Sequence, residues 1–430
     1  MVKRYLLCLI AIFLILTGCN TPTKNAAAVK QLKELLDEKE YFRLETKFKL
    51  YSAGIDDENR LYFKAFIDNA FNRNPECIKD VDSLLKIGTF KLPDSVKLDL
   101  SRLQSDSYFK TYQYAKAAES DSSLLKQYSR TISKENIDDI KNDLVMRNAL
   151  KKVPLQQTII KDSTSIKWKK DKIGLIEIPV KAQSQTFDAI FDTRANISSI
   201  TQTYARKLGL RILNASYNEA SGITGMVFKT GIGIADCLRI GNIIIRNAVF
   251  QVMPDSILYI APIKFQLNII IGFPIIDQLQ EVDIFKDGRM VIPLSPAKSD
   301  LHNFALDGLD PVIALKSGND TLSFHFDSGA SSSDLYAAYF ERYKAYIIKT
   351  GYKKTVHYGG AGGSLKKQVY ILPELHLTLG NKTVTIDSVS ALTKKIIPKE
   401  KFYGNLGQDM MRKFNEMVFN FKYMYVKGVD

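Results

Sequence analysis

The feature that most constrains this chain is a stretch that occurs twice. Phe191-Asp192-Thr193-Arg194-Ala195-Asn196 and Phe326-Asp327-Ser328-Gly329-Ala330-Ser331 each set an aspartate behind an apolar run, then a hydroxyl residue, then a turn. The downstream segments are doubled too. Gly272 of Ile270-Ile271-Gly272 lies 80 residues after Asp192, and Gly407 of Asn405-Leu406-Gly407 lies 80 after Asp327. Gly225 and Gly360 each lie 33 residues past their aspartate. Leu238-Arg239-Ile240-Gly241-Asn242 is echoed by Leu377-Thr378-Leu379-Gly380-Asn381. Matched landmarks in one order imply a duplicated lobe of about 130 residues.

A chain of 430 residues exceeds one ordinary core, so two or three domains are expected. The formal charge of +14 is spread along the sequence and no nucleic-acid motif accompanies it, which argues for a solvated basic surface and no nucleic-acid partner. Lys3 and Arg4 precede the apolar run Tyr5 to Leu16, a secretory layout too short to span a bilayer comfortably. The run ends Leu16-Thr17-Gly18-Cys19, which resembles a bacterial lipoprotein signal. That resemblance implies a signal over 1–18, acylation of Cys19, and a tether over 19–30. Acyl chains on Cys19 would anchor the protein in the cell envelope. Asn20 is not the acidic residue that retains some lipoproteins at the inner membrane, which favours the outer one. Of the four cysteines, Cys77 and Cys237 then remain, in different domains, and a free thiol in each is expected rather than a disulfide.

Residues 31–150 read as helical. Apolar positions three and four apart begin at Ala26, and further helical stretches are predicted at Tyr41–Tyr51, Glu58–Asn72, Cys77–Leu85, Ser95–Ala117 and Ser120–Ser129. The recurring aromatics make this region resemble a tetratricopeptide-type array, although a plain helical bundle fits equally well. Either offers a face to a protein partner. A polar connection over 151–165 leads into short stretches rich in branched and aromatic residues, such as Thr186-Phe187-Asp188-Ala189-Ile190-Phe191. Val282–Phe285 and Met290–Pro293 flank the turn Lys286-Asp287-Gly288 as a hairpin. Two mostly β lobes are therefore expected, over 166–296 and 297–430.

An apolar strand, Asp-Thr/Ser-Gly-Ala, and an apolar-apolar-Gly strand further on resemble the aspartic proteases, with two retropepsin-like lobes fused in one chain. The fold implied is a helical, tetratricopeptide-like domain followed by a bilobal all-β aspartic-protease fold. The activity implied is an endopeptidase acting on polypeptides as a monomer, without cofactor or metal. Two carboxylates about 3 Å apart cannot both ionise, so they share a proton; the ionised one activates water and the protonated one polarises the scissile carbonyl. The resemblance assigns those roles to Asp192 and Asp327. It gives Thr193, Ser328 and Gly329 the support of the pair. Gly222, Thr224 and Gly225, and Gly359 to Gly363 with Gly360 among them, fall where flap hairpins would close on substrate.

Other readings of these residues are weaker. Gly359–Gly363 lacks the Gly-Lys-Ser/Thr of a phosphate loop, and Gly231-x-Gly233-x-x-Asp236 is a degraded dinucleotide pattern. His302, His325, His357 and His376 lack metalloprotease spacing. The one departure from the family pattern is Arg194, where glycine is third in the motif. Its guanidinium would favour an ionised Asp192 if it reached that carboxyl, or leave the pair intact if it pointed to solvent. Two functions stay open: a lipid-anchored aspartic endopeptidase, and a catalytically impaired protease-fold lipoprotein that binds peptides or proteins.

Overall fold

The computed structural model describes residues 25–86, 90–220, 225–360, 363–396 and 400–430. The expected signal and Cys19 lie outside these residues, as do Gly222, Thr224, Ala361 and Gly362.

Helices run Ala26–Asp37, Tyr41–Tyr51, Asp57–Ala70, Asn74–Leu85, Asp94–Lys110, Tyr114–Tyr128 and Lys134–Leu150. Asn25, Asp56 and Ser133 begin three of them by accepting from the amides of Ala28, Asn59 and Asn136. Pro75 sits in the first turn of Asn74–Leu85, where a missing N–H costs nothing. The continuous helix expected over Ser95–Ala117 is instead two helices, broken at Tyr112, whose φ is 60°. A bulky residue holds that conformation only when its surroundings fix it. The Tyr112 hydroxyl donates to the Pro274 carbonyl at 2.7 Å and its ring is buried. The same turn occurs at Lys39 and Asn72, with φ of 55° and 58°. In all three the next amide reaches five residues back: Glu40 to Leu35, Arg73 to Asp68 and Gln113 to Tyr108, at 2.7–2.9 Å. The region is thus a row of helix hairpins. Their turns fall at 39, 72 and 112, without the fixed period of a tetratricopeptide array. Among the described residues no helix is long and apolar enough to cross a membrane. Cys77 is buried and Cys237 exposed, both free.

The β region begins earlier than expected. Gln157–Ile159 pairs with Ile243–Met253, and Thr164–Lys167 pairs with Arg289–Ile292, so the polar connection is already strand. Each lobe then repeats one topology. Gln185–Phe191 lies parallel to Ile269–Ile271, with Ile190 opposite Ile270. Asp320–Phe326 lies parallel to Gly404–Leu406, with His325 opposite Asn405. On the far side of its glycine strand the chain places Ser198–Thr201 in one lobe and Asp334–Leu335 in the other, both antiparallel to it. Short helices such as Ala337–Arg342 and Lys344–Thr350 interrupt the all-β expectation.

A five-stranded sheet joins the lobes. It contains Thr164–Lys167, the hairpin Glu281–Phe285 and Arg289–Ile292, and the final strands Glu416–Asn420 and Tyr425–Val429. The helical row packs against both lobes. Lys39 and Tyr41 meet Asp307 of the second lobe at 2.6 and 2.7 Å. Asn72 donates to Asp277 of the first at 2.8 Å, and Asn142 exchanges two 2.8 Å bonds with the backbone of Asn218.

Burial pushes the carboxyls of Asp277, Asp283 and Asp334 up to about 7. These groups hold protons more tightly when folded than in the unfolded chain, where an aspartate titrates at about 4. The stability they confer is present below that value and is lost as pH rises through about 7. Glu45 runs the other way: burial raises it, but His302 and Lys49 override that and hold it at about 2, so its contribution fades in strong acid. Calorimetric unfolding should therefore give a higher Tm at pH 5 than at pH 8, and Asp283→Asn should shrink that difference.

Candidate active site

Each aspartate is placed by the strand before it and the glycine strand beneath it. The Asp192 amide donates to the Ile271 carbonyl at 3.0 Å and the Asp327 amide to the Leu406 carbonyl at 2.9 Å. Gly272 and Gly407 pass directly under the following turns. A Cβ on Gly272 would lie 2.4 Å from the Ala195 carbonyl oxygen, and one on Gly407 would lie 2.7 Å from that of Ala330. No side chain fits there. Ser198 and Ser333 complete the match by accepting from the Gly272 and Gly407 amides at 2.9 and 3.0 Å.

The two turns are tied to each other by reciprocal bonds. The Ser328 hydroxyl accepts from the Thr193 amide at 3.0 Å and donates to the Phe191 carbonyl at 2.7 Å. The Thr193 hydroxyl accepts from the Ser328 amide at 3.0 Å and donates to the Phe326 carbonyl at 3.2 Å. Both side chains are buried. Four bonds related by a pseudo-twofold axis thus join the lobes directly.

This ring brings the carboxyls together. A Cβ on Gly329 would lie 2.4 Å from the Asp192 carboxyl carbon, so the Asp192 side chain rests on the backbone of the second motif. Asp192 Oδ1 accepts from the Arg194 amide and Asp327 Oδ1 from the Gly329 amide, each at 2.9 Å. Asp327 has a further donor, Asn405 Nδ2, at 3.2 Å from Oδ2. Burial raises the Asp192 pKa, the Asp327 charge raises it further, and the amides of Arg194 and Ala195 oppose both. The pair can therefore hold one proton well above the usual carboxylate range, the requirement for acid and base to coexist at one site.

Arg194 neither reaches the Asp192 carboxyl with its side chain nor points to solvent. Its guanidinium crosses into the second lobe. Nη1 donates to the Tyr336 hydroxyl and to Asn405 Oδ1, both at 3.2 Å, and Nε lies 3.6 Å from Asp310 Oδ1. The corresponding place in the first lobe is an apolar cluster that includes Leu175, Ile190 and Ile270. The strand registers make Ile190 the counterpart of His325 and Ile270 the counterpart of Asn405. Leu175 and Asp310 stand equally far before their aspartates. The second lobe is thus polar where the first is apolar, at the place that receives the arginine.

Residues 178–275, which include Asp192 and Gly272, match the family described as aspartyl protease. The β region has a bilobal, aspartic-protease-like architecture. Two solved structures are similar to it over 62% of this chain and 94% of theirs, at 10% identity: basic 7S globulin from soybean, with a TM-score of 0.41, and conglutin gamma, a basic 7S globulin from lupine seeds, with 0.40. No curated protein matches the chain.

In this aspartic-protease-like region, Asp192, Thr193, Asp327, Ser328 and Gly329 converge, whereas Gly225 and Gly360 belong to hairpins. Gly225, with φ of 67°, leads into the strand Val227–Ile240, and Gly360 closes Tyr352–Gly360 opposite Gly363. Among the described residues no cluster of three or more histidines, cysteines or acids could hold a metal. Asp310, Tyr336 and Asn405 escaped the sequence reading. Aligning the two halves exposes two of them, Asp310 and Asn405, because each replaces an aliphatic residue of its counterpart.

Each hydroxyl of the reciprocal ring serves two buried backbone groups. Thr193→Val and Ser328→Ala should each cost about 2 kcal/mol, since orphaned buried groups lose more than the bond itself gave. Urea unfolding of both single variants and the double variant should show the double costing less than the sum of the singles, as partners in one ring are coupled.

Proposed function

We propose that the protein is an aspartic endopeptidase that hydrolyses peptide bonds in the cleft between its lobes. The observation that carries this reading is the reciprocal Thr193–Ser328 ring, which fixes two matched aspartates against each other. A water between them loses a proton to the ionised carboxylate as its oxygen attacks the scissile carbonyl carbon. The protonated carboxyl gives its proton to the carbonyl oxygen. As the resulting gem-diol collapses, the C–N bond breaks, the amine leaves with the proton taken from water, and one diol hydroxyl returns its proton to the other carboxylate, restoring the pair. The long hairpins Arg211–Ala220 with Val227–Ile240, and Tyr352–Gly360 with Gly363–Leu379, supply extended edges along which a polypeptide could add as a strand. The Leu16-Thr17-Gly18-Cys19 sequence supports anchoring of this enzyme to the envelope membrane by acylation at Cys19.

One observation supports a second reading. Arg194 stands where the motif has glycine, which fits a protease fold kept as a lipid-anchored module for binding extended peptides.

Peptide-library cleavage by the full-length protein separates the two. The enzyme reading expects cleavage that rises as pH falls from 8 toward 5, because alkali removes the shared proton whose affinity burial has raised. It also expects Asp192→Asn and Asp327→Asn each to lose about a thousandfold in kcat with the fold retained. Cleavage surviving in either variant would reject the pair. A parent that binds extended peptides and cleaves none would establish the binding module.

A further inference from the structure

The two aspartates are related by a pseudo-twofold axis, yet their surroundings are not. Asp192 is held by the backbone amides of Arg194 and Ala195, and the residue beneath it, Ile270, has nothing to donate from its side chain. Asp327 accepts at both oxygens, from Gly329 and from Asn405. Asn405 in turn accepts from the Arg194 guanidinium. A positive charge on the carbonyl end of an amide polarises it, making its N–H a stronger donor at the other end. The relay from Arg194 through Asn405 to Asp327 therefore favours the ionised form of Asp327; Asp192 has no such hydrogen-bonded side chain beneath it, and the Arg194 charge acts on it only through space.

The surroundings of the guanidinium suit this task. Asp310 approaches it from the strand Asp310–Ser317, and Tyr336 from the residues just after Asp334–Leu335. Asp334 stands opposite Asn405 in the sheet, with Oδ2 buried and without a hydrogen-bond partner. His325, opposite Asn405 on the other side, faces Glu400 at 3.6 Å. Asp409 binds Ser333 one strand away. Arg194 is thus a permanent cation set among several acids, and its charge is not free to leave by deprotonation.

On the reading of the site as an aspartic protease, we propose that Arg194 is a positioning residue that decides which carboxyl works as the base. Held by Asp310, Tyr336 and Asn405, it keeps Asp327 ionised and leaves the shared proton on Asp192. Asp327 then takes the proton from water, and Asp192 delivers its proton to the substrate carbonyl oxygen. The change from glycine to arginine in one motif and the polar replacements in the opposite lobe form one device.

The test has a readout that does not depend on cleavage. Carboxyl carbon NMR of aspartate-labelled full-length protein, assigned with Asp192→Asn and Asp327→Asn, should show the Asp327 signal titrating below that of Asp192. In Arg194→Gln, which keeps a donor but removes the charge, the Asp327 signal should titrate at higher pH than in the parent. Arg194→Lys, which keeps the charge, should leave it near its parental position. If Arg194→Gln does not fold, Arg194→Gln with Asp310→Asn removes the unpaired acid and is read in the same way. Where the parent cleaves peptide, the acid limb of its kcat profile should move upward with the Asp327 signal while KM stays constant. A merely structural arginine would change the yield of folded protein and move neither titration nor limb. An Asp327 signal unmoved by loss of the charge, or an Asp192 signal titrating first in the parent, would overturn the proposal. A parent with these titrations and no cleavage would reject the enzyme while leaving the role of Arg194 standing.

Discussion

Four hydrogen bonds between Thr193, Ser328 and the backbones of the opposite lobes organise the site. Each hydroxyl acts at once as donor and acceptor, and each is sealed from water. A misfit of either lobe would strand buried amides and carbonyls, so the ring specifies one relative placement of the lobes more sharply than apolar contact can. Everything chemical depends on that placement. The Asp192 carboxyl can rest on Gly329 only because the two turns meet. The glycine strands beneath, with Gly272 and Gly407, let the turns approach their own sheets closely enough for the ring to close.

The five-stranded sheet gives the same placement a second support. Its strands come from the segment before the first lobe, from the hairpin between lobes and from the end of the chain. Neither lobe therefore owns its boundary. The duplication visible in sequence is real as a repeat of topology, but the halves are interleaved through this sheet as well as joined by the segment 293–303.

Much of this was legible from residues alone, and what was not has identifiable causes. The doubled motifs and glycines revealed two lobes because tight turns and close strand crossings leave few residue choices. Helices were legible where caps and apolar spacing agreed. The break at Tyr112 was not, because a tertiary contact with Pro274 holds a conformation that tyrosine disfavours locally. The strands at Gln157–Ile159 and Thr164–Lys167 were hidden because they lie at sheet edges with polar faces. Arg194 was noticed, but its direction was not, since its partners stand 116 to 211 residues further along the chain at Asp310, Tyr336 and Asn405. A long side chain finds its place through groups that only the fold assembles.

On the proposed protease reading, the contacts of the helical row constrain how a substrate could enter. It grips the first lobe at Pro274 and Asn218 and the second at Asp307. A body clamped to both halves resists a jaw-like spreading of the lobes. On that reading the opening over the aspartates would be set by the two long hairpins, and Asn142 already grips the outer strand of one of them. The helices are in this sense the handle of the tool, and what they touch sets how wide it can open.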